Sequence, residues 1–378
     1  MKGNKMYNSQ LLIIGNGFDL YCGLKSTFSN YFDPKYNATM NNDLSHFNEF
    51  IDVMNAHDGP YLYGVNIDLI KSNKLMPPDL SKFSKNDYLG NLTFWVCFLL
   101  LRKIDNPKWS DVEHEIQLFL TPSINKETTS IHDIIKTASY VKDHWSDLKS
   151  LDDSPNKTVQ IIWFLLHTCF GLTNERICSE TEILRFLNGQ LILFESRFQE
   201  YMNSIIDTDY KIKSSNLART LADNKNFNLL NFNYTTFACE NCLFSRNIHG
   251  TLNRNSHPII GIDSSVITSR SLLYKFTKTY RIMSTSSAKH QDILTHTTTK
   301  VIFFGHSLSE ADYSYFQSIF DYFDIYHTPI SLVFKYSQFD NQEEIRQFSR
   351  VSRLLERYGE TLDNKDHGKN LMHKLMLE

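Results

Sequence analysis

Apolar positions along the chain fall into two kinds of run. Short runs rich in β-branched residues recur at 11–14, 228–232, 258–261, 300–304 and 329–334, each bounded by turn formers or polar residues, and their length predicts strands. Longer patterns at 91–103, 112–119, 131–148, 159–170, 182–206, 310–323 and 341–358 predict helices. Strands and helices that alternate in this way point to an α/β fold built on a doubly wound, parallel, Rossmann-like sheet. The spacing is uneven: one strand lies near residue 12 and the next near 228, and the chain between them reads as helices separated by the polar gaps 106–111 and 150–157. The expected organisation is therefore an α/β core from 1–30 and 226–340, a large, mainly helical insertion at 31–225, and a C-terminal helix and frayed polar tail at 341–378.

The two strongest apolar runs, LTFWVCFLLL (92–101) and TVQIIWFLLHTCF (158–170), fall short of the ~20 residues that a spanning helix needs, so they read as buried helices and no membrane partner is expected. The opening MKGNKMYNSQ shows no apolar signal segment, and the 6 cysteines read as free thiols in a reducing cytoplasm. The 378 residues can build one large core or two ordinary ones, and the 27 Phe and 19 Tyr supply large aromatic faces to them. A net charge of −3 gives no broad basic footprint for nucleic acid or for an anionic membrane. Cys239 and Cys242 form a C-x-x-C, but a structural zinc site wants four ligands, and the nearby sequence adds only His249 and His257. No metal is expected.

Four stretches carry candidate chemistry. In LLIIGNGFDLYCGL (11–24) a strand runs into Gly15, Asn16 and Gly17, with Gly23 six positions later; glycine lets backbone approach a ligand, and the helix that follows would offer its first amides to an anion. Asp19 suits either the cap of that helix or a ribose hydroxyl. In LLNFNYT (229–235) a strand ends in Asn231 and Asn233, at the sheet edge where α/β proteins bind their ligands. In RNIHGTLN (246–253) Gly250 can turn the chain so that His249 faces a cleft, where an imidazole suits general base work. In VIFFGHSLSEADYSYF (301–316) a buried strand delivers Gly305, His306 and Ser307, and Ser309, with Glu310 and Asp312, reads as a helix cap. Trp109, Asp111 and Glu113 read as the first turn of a helix, with Ser110 or Asp111 as its cap.

The order of these four stretches resembles that of the sirtuin-like nucleotide-binding domains: a G-x-G with a later Gly, a strand-end Asn, a His-Gly, and a strand-borne Gly-x-Ser-Leu. Within that superfamily, IIGNGFDLYCGL, NFNYT, IHG and FGHSLSEAD look like the bacterial abortive infection protein AbiH, a phage-defence family, and PKWSDVEHEI (107–116) looks like that family's inserted region. The resemblance implies that NAD is the ligand or substrate, with Gly15, Asn16 and Gly17 at its diphosphate, and Asp19, Gly305, His306 and Ser307 among the cofactor-binding positions. It matches Asn233 to the asparagine beside the nicotinamide ribose and His249 to the catalytic histidine.

Several departures weigh against protein deacylation. Asn16 stands in place of alanine, Lys25 in place of a common proline, GLKSTF lacks the Asp-Phe-Arg of deacylating sirtuins, and there is no four-cysteine ribbon. The reading that follows is an antiphage NAD glycohydrolase, held off in healthy cells by homo-oligomerisation or a lid from the insertion and released by a phage trigger that the sequence does not name. The alternatives are a nucleotide-sensing module without turnover, and a metal-dependent nuclease using Asp111, Glu113 and Asp263.

Overall fold

A computed structural model describes residues 9–38, 40–56, 89–90, 92–102, 109–121, 129–143, 157–253, 256–263, 267–285, 293–308, 312–337, 342–361 and 375–377. In chain order the elements begin with β1 (Ser9–Ile14), α1 (Asn16–Tyr21), α2 (Phe28–Phe32), α3 (Met40–Ala56), α4 (Phe94–Arg102), α5 (Trp109–Leu120), α6 (Ile131–Asp143) and α7 (Lys157–Phe164). They continue with α8 (Asn174–Cys178), α9 (Glu180–Ile205), α10 (Thr208–Leu221), β2 (Phe227–Asn231), β3 (Cys242–Asn247), α11 (Lys278–Thr285), β4 (Thr298–Phe304), α12 (Tyr313–Phe323), β5 (Ser331–Lys335), α13 (Glu343–Thr361) and β6 (Leu375–Leu377).

The chain divides into two compact units. One comprises Met1–Thr27, Phe198–Ile259 and Lys278–Glu378, and the other Phe28–Arg197 and Ile260–Thr277. The division falls inside α9, so α10 and α13 go with the sheet, whereas the segment after Ile259 goes with the helices.

In the sheet unit six parallel strands lie in the order β3-β2-β1-β4-β5-β6, the doubly wound order in which the chain starts at the centre, winds to one edge, and returns to wind to the other. Strand β1 is buried along its whole length, as its apolar run Leu11–Ile14 requires in the middle of a parallel sheet. Alternate residues of the central strands, Leu11 and Ile13, Val301 and Phe303, Leu332 and Phe334, share one apolar core with Phe316 and Phe320 of α12 and Leu354, Leu355 and Tyr358 of α13. Register matters most for function. Ile14 pairs with both Asn231 and Phe304, and Asn231 pairs with Asn247, so β1, β2, β3 and β4 end level with one another. The four segments that follow them all leave the sheet along one edge.

The helical unit is packed by aromatic side chains: Phe94, Phe98 and Phe119 lie within 6.2 Å of one another by ring centre, and the Trp95 indole donates to the Leu187 carbonyl at 2.9 Å. The run expected as one helix over 159–170 is α7 followed by a π-helical turn, Leu165–Cys169.

Four local expectations need correction. The apolar run 258–261 is not a strand; the Ile259 amide donates to the His249 carbonyl and the Ile260 amide to the Glu195 carboxylate, so neither joins a ladder. Strand β3 was not expected, because its side chains stand mostly exposed and carry no apolar alternation. The C-terminal segment read as a frayed tail supplies β6. Ser110 and Asp111, the two expected caps, both lie inside α5, which begins at Trp109.

Candidate functional site

The level strand ends set the site. Gly15 follows β1, Asn233 stands two residues beyond β2, His249 two beyond β3, and Gly305 and His306 directly after β4. The crevice between β1 and β4 is the topological switch point of the sheet, because the chain winds outward in opposite directions from it.

The glycines there are required by backbone meeting backbone. A Cβ on Gly15 would lie 2.7 Å from the His306 Cα, one on Gly17 2.7 Å from the Gly305 Cα, and one on Gly305, whose φ is +68°, 2.3 Å from the Phe18 amide nitrogen. The Gly15 amide donates to the Phe304 carbonyl at 3.2 Å and the Gly17 amide to the Gly305 carbonyl at 2.7 Å. Both amides are thus engaged within the fold, and the G-x-G serves first to dock the β1 loop on the β4 loop. Gly23 has a different reason. It ends α1 at φ +91°, its amide donates to the Leu20 carbonyl at 2.9 Å and the Leu24 amide to the Asp19 carbonyl at 3.0 Å, the paired bonds of a left-handed helix cap.

Behind this loop the end of β2 is fixed by asparagines. Asn231 donates to the Thr235 carbonyl at 2.8 Å and accepts from the Asn233 amide at 2.9 Å, while Asn247 donates to the carbonyls of Asn233 at 2.7 Å and Thr235 at 2.9 Å. Asn233 is buried, and its side-chain nitrogen donates to the Gly15 carbonyl at 3.0 Å. Asp19 does not cap α1, whose N-cap is Gly15 with no side-chain bond. Its carboxyl, 1% exposed, accepts from the Tyr210 hydroxyl at 2.7 Å and from the Thr235 hydroxyl at 3.1 and 3.0 Å. Burial outweighs these bonds, and one from Asn233, and pushes the carboxyl up to about 7.

The other half of the edge is a buried ionic cluster. Asp312, just before α12, makes no cap bond; its Oδ1 lies 3.2 Å from His249 Nε2 and 3.1 Å from Lys278 Nζ, and its Oδ2 lies 3.4 Å from His306 Nε2. Burial alone would raise this carboxyl, but the Lys278 ammonium and the two imidazoles outweigh it and hold it well below the usual carboxylate range. His306 Nδ1 accepts the Leu308 amide at 2.9 Å, which fixes its proton on Nε2, toward Asp312. The turn is strained, with Leu308 at φ +53°. His249 differs from His306: with Nε2 on Asp312, its Nδ1 is buried and has no hydrogen-bond partner among the described residues. Phe232 packs edge-to-face against both rings, at 5.6 Å from His249 and 4.5 Å from His306.

The structure therefore brings Gly15, Gly17, Asp19, Asn233, His249, Gly305 and His306 together at one edge. Asn16 turns to the Ser26 hydroxyl, which donates to its Oδ1 at 2.6 Å, and Ser307 is exposed. Ser309 and Glu310 lie outside the described residues. Asp312 and Lys278 were missed as site residues. Asp312 sits six positions after His306 in a stretch that reads as a helix cap, and Lys278 carries no local signal at all.

Asp111, Glu113 and Asp263 belong to the helical unit, where Glu113 accepts from the Gly261 amide at 3.4 Å. Among the described residues no three His, Cys, Asp or Glu side chains are grouped to hold a metal ion, and no helix is long and apolar enough to cross a membrane.

The fold and site define a doubly wound α/β protein with a buried histidine–aspartate pair at the carboxyl edge of its sheet. The chain belongs to the family described as bacteriophage abortive infection AbiH, whose model matches residues 11–336. No curated protein and no solved structure matches it.

Proposed function

We propose that this abortive infection protein hydrolyses the nicotinamide–ribose N-glycosidic bond of NAD and so arrests the infected host. The observation that carries the reading is His249: a buried imidazole at the carboxyl edge of a Rossmann-like sheet, with one nitrogen on a carboxylate and the other without a partner among the described residues. That is the form of a general base oriented by an acid. The order of the strand-end motifs, which resembles that of the sirtuin-like domains, supplies the substrate class.

In the proposed reaction the bond between the anomeric carbon and the pyridinium nitrogen breaks, and nicotinamide leaves neutral with the electron pair. An oxocarbenium-like ribose is then attacked by water, whose proton passes to His249 Nδ1, giving ADP-ribose, nicotinamide and a proton. Asp312 holds the imidazole in the tautomer that leaves Nδ1 as acceptor and stabilises the imidazolium that forms. Asn233, held by the Gly15 carbonyl, is assigned the ribose or the water. Gly15, Gly17 and Gly305 contribute by allowing the β1 and β4 loops to meet.

The test follows nicotinamide and ADP-ribose release from NAD by the purified chain, and NAD content in infected cells that carry it. Release, or NAD loss on infection, that disappears in His249→Ala and Asn233→Ala is expected. Growth arrest by the wild-type chain with cellular NAD unchanged would overturn the reading, and NAD binding with no loss of NAD in arrested cells would replace it with a sensing role.

A further inference from the structure

Lys278 opens α11 and is itself buried, 5% exposed, with its Nζ 3.1 Å from Asp312 Oδ1. The same oxygen receives His249 Nε2 at 3.2 Å. An ammonium is a compact, strongly hydrated charge that is almost never fully enclosed unless paired. Here it is paired with Asp312, and among the described residues the cluster holds one carboxylate, one ammonium and two imidazoles. Adding a proton to His249 would place a second cation against the first. The proton would also sit on Nδ1, a buried donor with no acceptor among the described residues.

We propose that Lys278 is a positioning residue for His249: acting through the shared Asp312 oxygen, its ammonium keeps the imidazole neutral, with its proton on Nε2 and the Nδ1 lone pair ready to accept one. The inference rests on the reading of His249 as the base and adds what keeps that base in its working form. Among the described residues, the groups that face His249 are Asp312 beside α12, Lys278 from α11, His306 from the β4 loop, and the rings of Phe232 and Tyr315 at 5.6 and 5.7 Å. Asp312 favours the charged imidazole; burial, Lys278 and His306 oppose it, and the net effect holds His249 below the ordinary histidine range.

The test is nuclear magnetic resonance of the full chain carrying isotopically labelled histidine, with His249 assigned against His249→Gln and titrated from mildly acidic to mildly alkaline pH. Wild type is expected to show a neutral imidazole with its proton on Nε2 at neutral pH. Lys278→Met should raise the His249 midpoint by about one pH unit, and Lys278→Arg should leave it near wild type. If Lys278→Met does not fold, Lys278→Gln is read in the same way. A wild-type proton on Nδ1, or an unmoved midpoint in a folded neutral variant, would overturn the proposal. The titration needs no substrate, so it decides the role of Lys278 whether or not NAD is cleaved. Where nicotinamide release is measured, its acidic limb should move up by the same interval in the neutral variant, and a limb that stays in place would also overturn the proposal.

Discussion

Asp312 Oδ1 stands 3.2 Å from His249 Nε2 across 63 positions of chain, and both side chains are buried. One carboxylate thus orients the histidine and neutralises Lys278. Asp312→Asn removes the charge but keeps the shape, so the buried Lys278 ammonium loses the carboxylate at 3.1 Å, a charged hydrogen bond worth about 1.5–3 kcal/mol. Urea unfolding should show that loss. In the proposed reaction the amide no longer stabilises the imidazolium, and nicotinamide release should fall by roughly 100-fold or more in the folded fraction. An Asn variant as stable and as active as wild type would make the pair incidental.

The glycines separate two causes that sequence alone runs together. Gly305→Ala would force a Cβ to 2.3 Å from the Phe18 amide nitrogen in a left-handed backbone, whereas Gly23 has the same kind of φ but nothing within 4 Å of its Cβ position. Gly23→Ala should therefore cost about 1–2 kcal/mol, the penalty of the left-handed conformation alone. Gly305→Ala should cost several times as much, because two packed backbones must also move apart. Paired thermal melts of the two variants measure the difference; equal losses would mean that the loop contact contributes nothing.

Much of this arrangement was legible because its signals are local. β1, β2, β4 and β5 carry apolar runs, since both faces of a central parallel strand are covered, and the strand-end positions of His249 and Asn233 could be read because they follow such strands or a His-Gly corner. β3 escaped because an edge strand with exposed side chains needs no apolar pattern. The run 258–261 misled because burial of Ile259 and Ile260 does not require a ladder when carbonyl and carboxylate partners take their amides. Asp312 and Lys278 were illegible for a deeper reason. Their partners are brought to them by the crossing of separate strand loops, and nothing in the neighbouring residues encodes that meeting.

Asn247 pins the loop that carries Asn233, donating to the carbonyls of Asn233 and Thr235 at 2.7 and 2.9 Å. Asn247→Ala frees the Asn233 carbonyl beside the site, the Thr235 carbonyl keeping its bond from Asn231, while touching neither His249 nor Asp312. A loss of about 1–3 kcal/mol in stability is expected, together with a rise in the KM for NAD that exceeds any fall in kcat. A variant altered only in kcat would place Asn233 away from substrate binding.

Asp19 gives the clearest dependence on pH. Its carboxyl is held protonated up to about 7 by burial, whereas in the unfolded chain it ionises near the ordinary aspartate value of 3.8. Between those limits the folded state binds the extra proton, so raising the pH favours unfolding by about 1.4 kcal/mol for each unit. His249 acts in the opposite sense, because its depressed folded value makes the unfolded state the better proton acceptor below about 6.5 and costs stability as the pH falls. The two contributions offset one another in mildly acidic solution. Asp19→Asn removes the first and leaves the second. Measured by urea unfolding at a series of pH values, the variant should gain on wild type steadily from about pH 4 to pH 7 and level off above, where both forms of Asp19 are ionised. A stability difference that stays constant over that interval would show that Asp19 is ionised in the folded protein, with the Tyr210 and Thr235 hydroxyls sufficient to hold its charge.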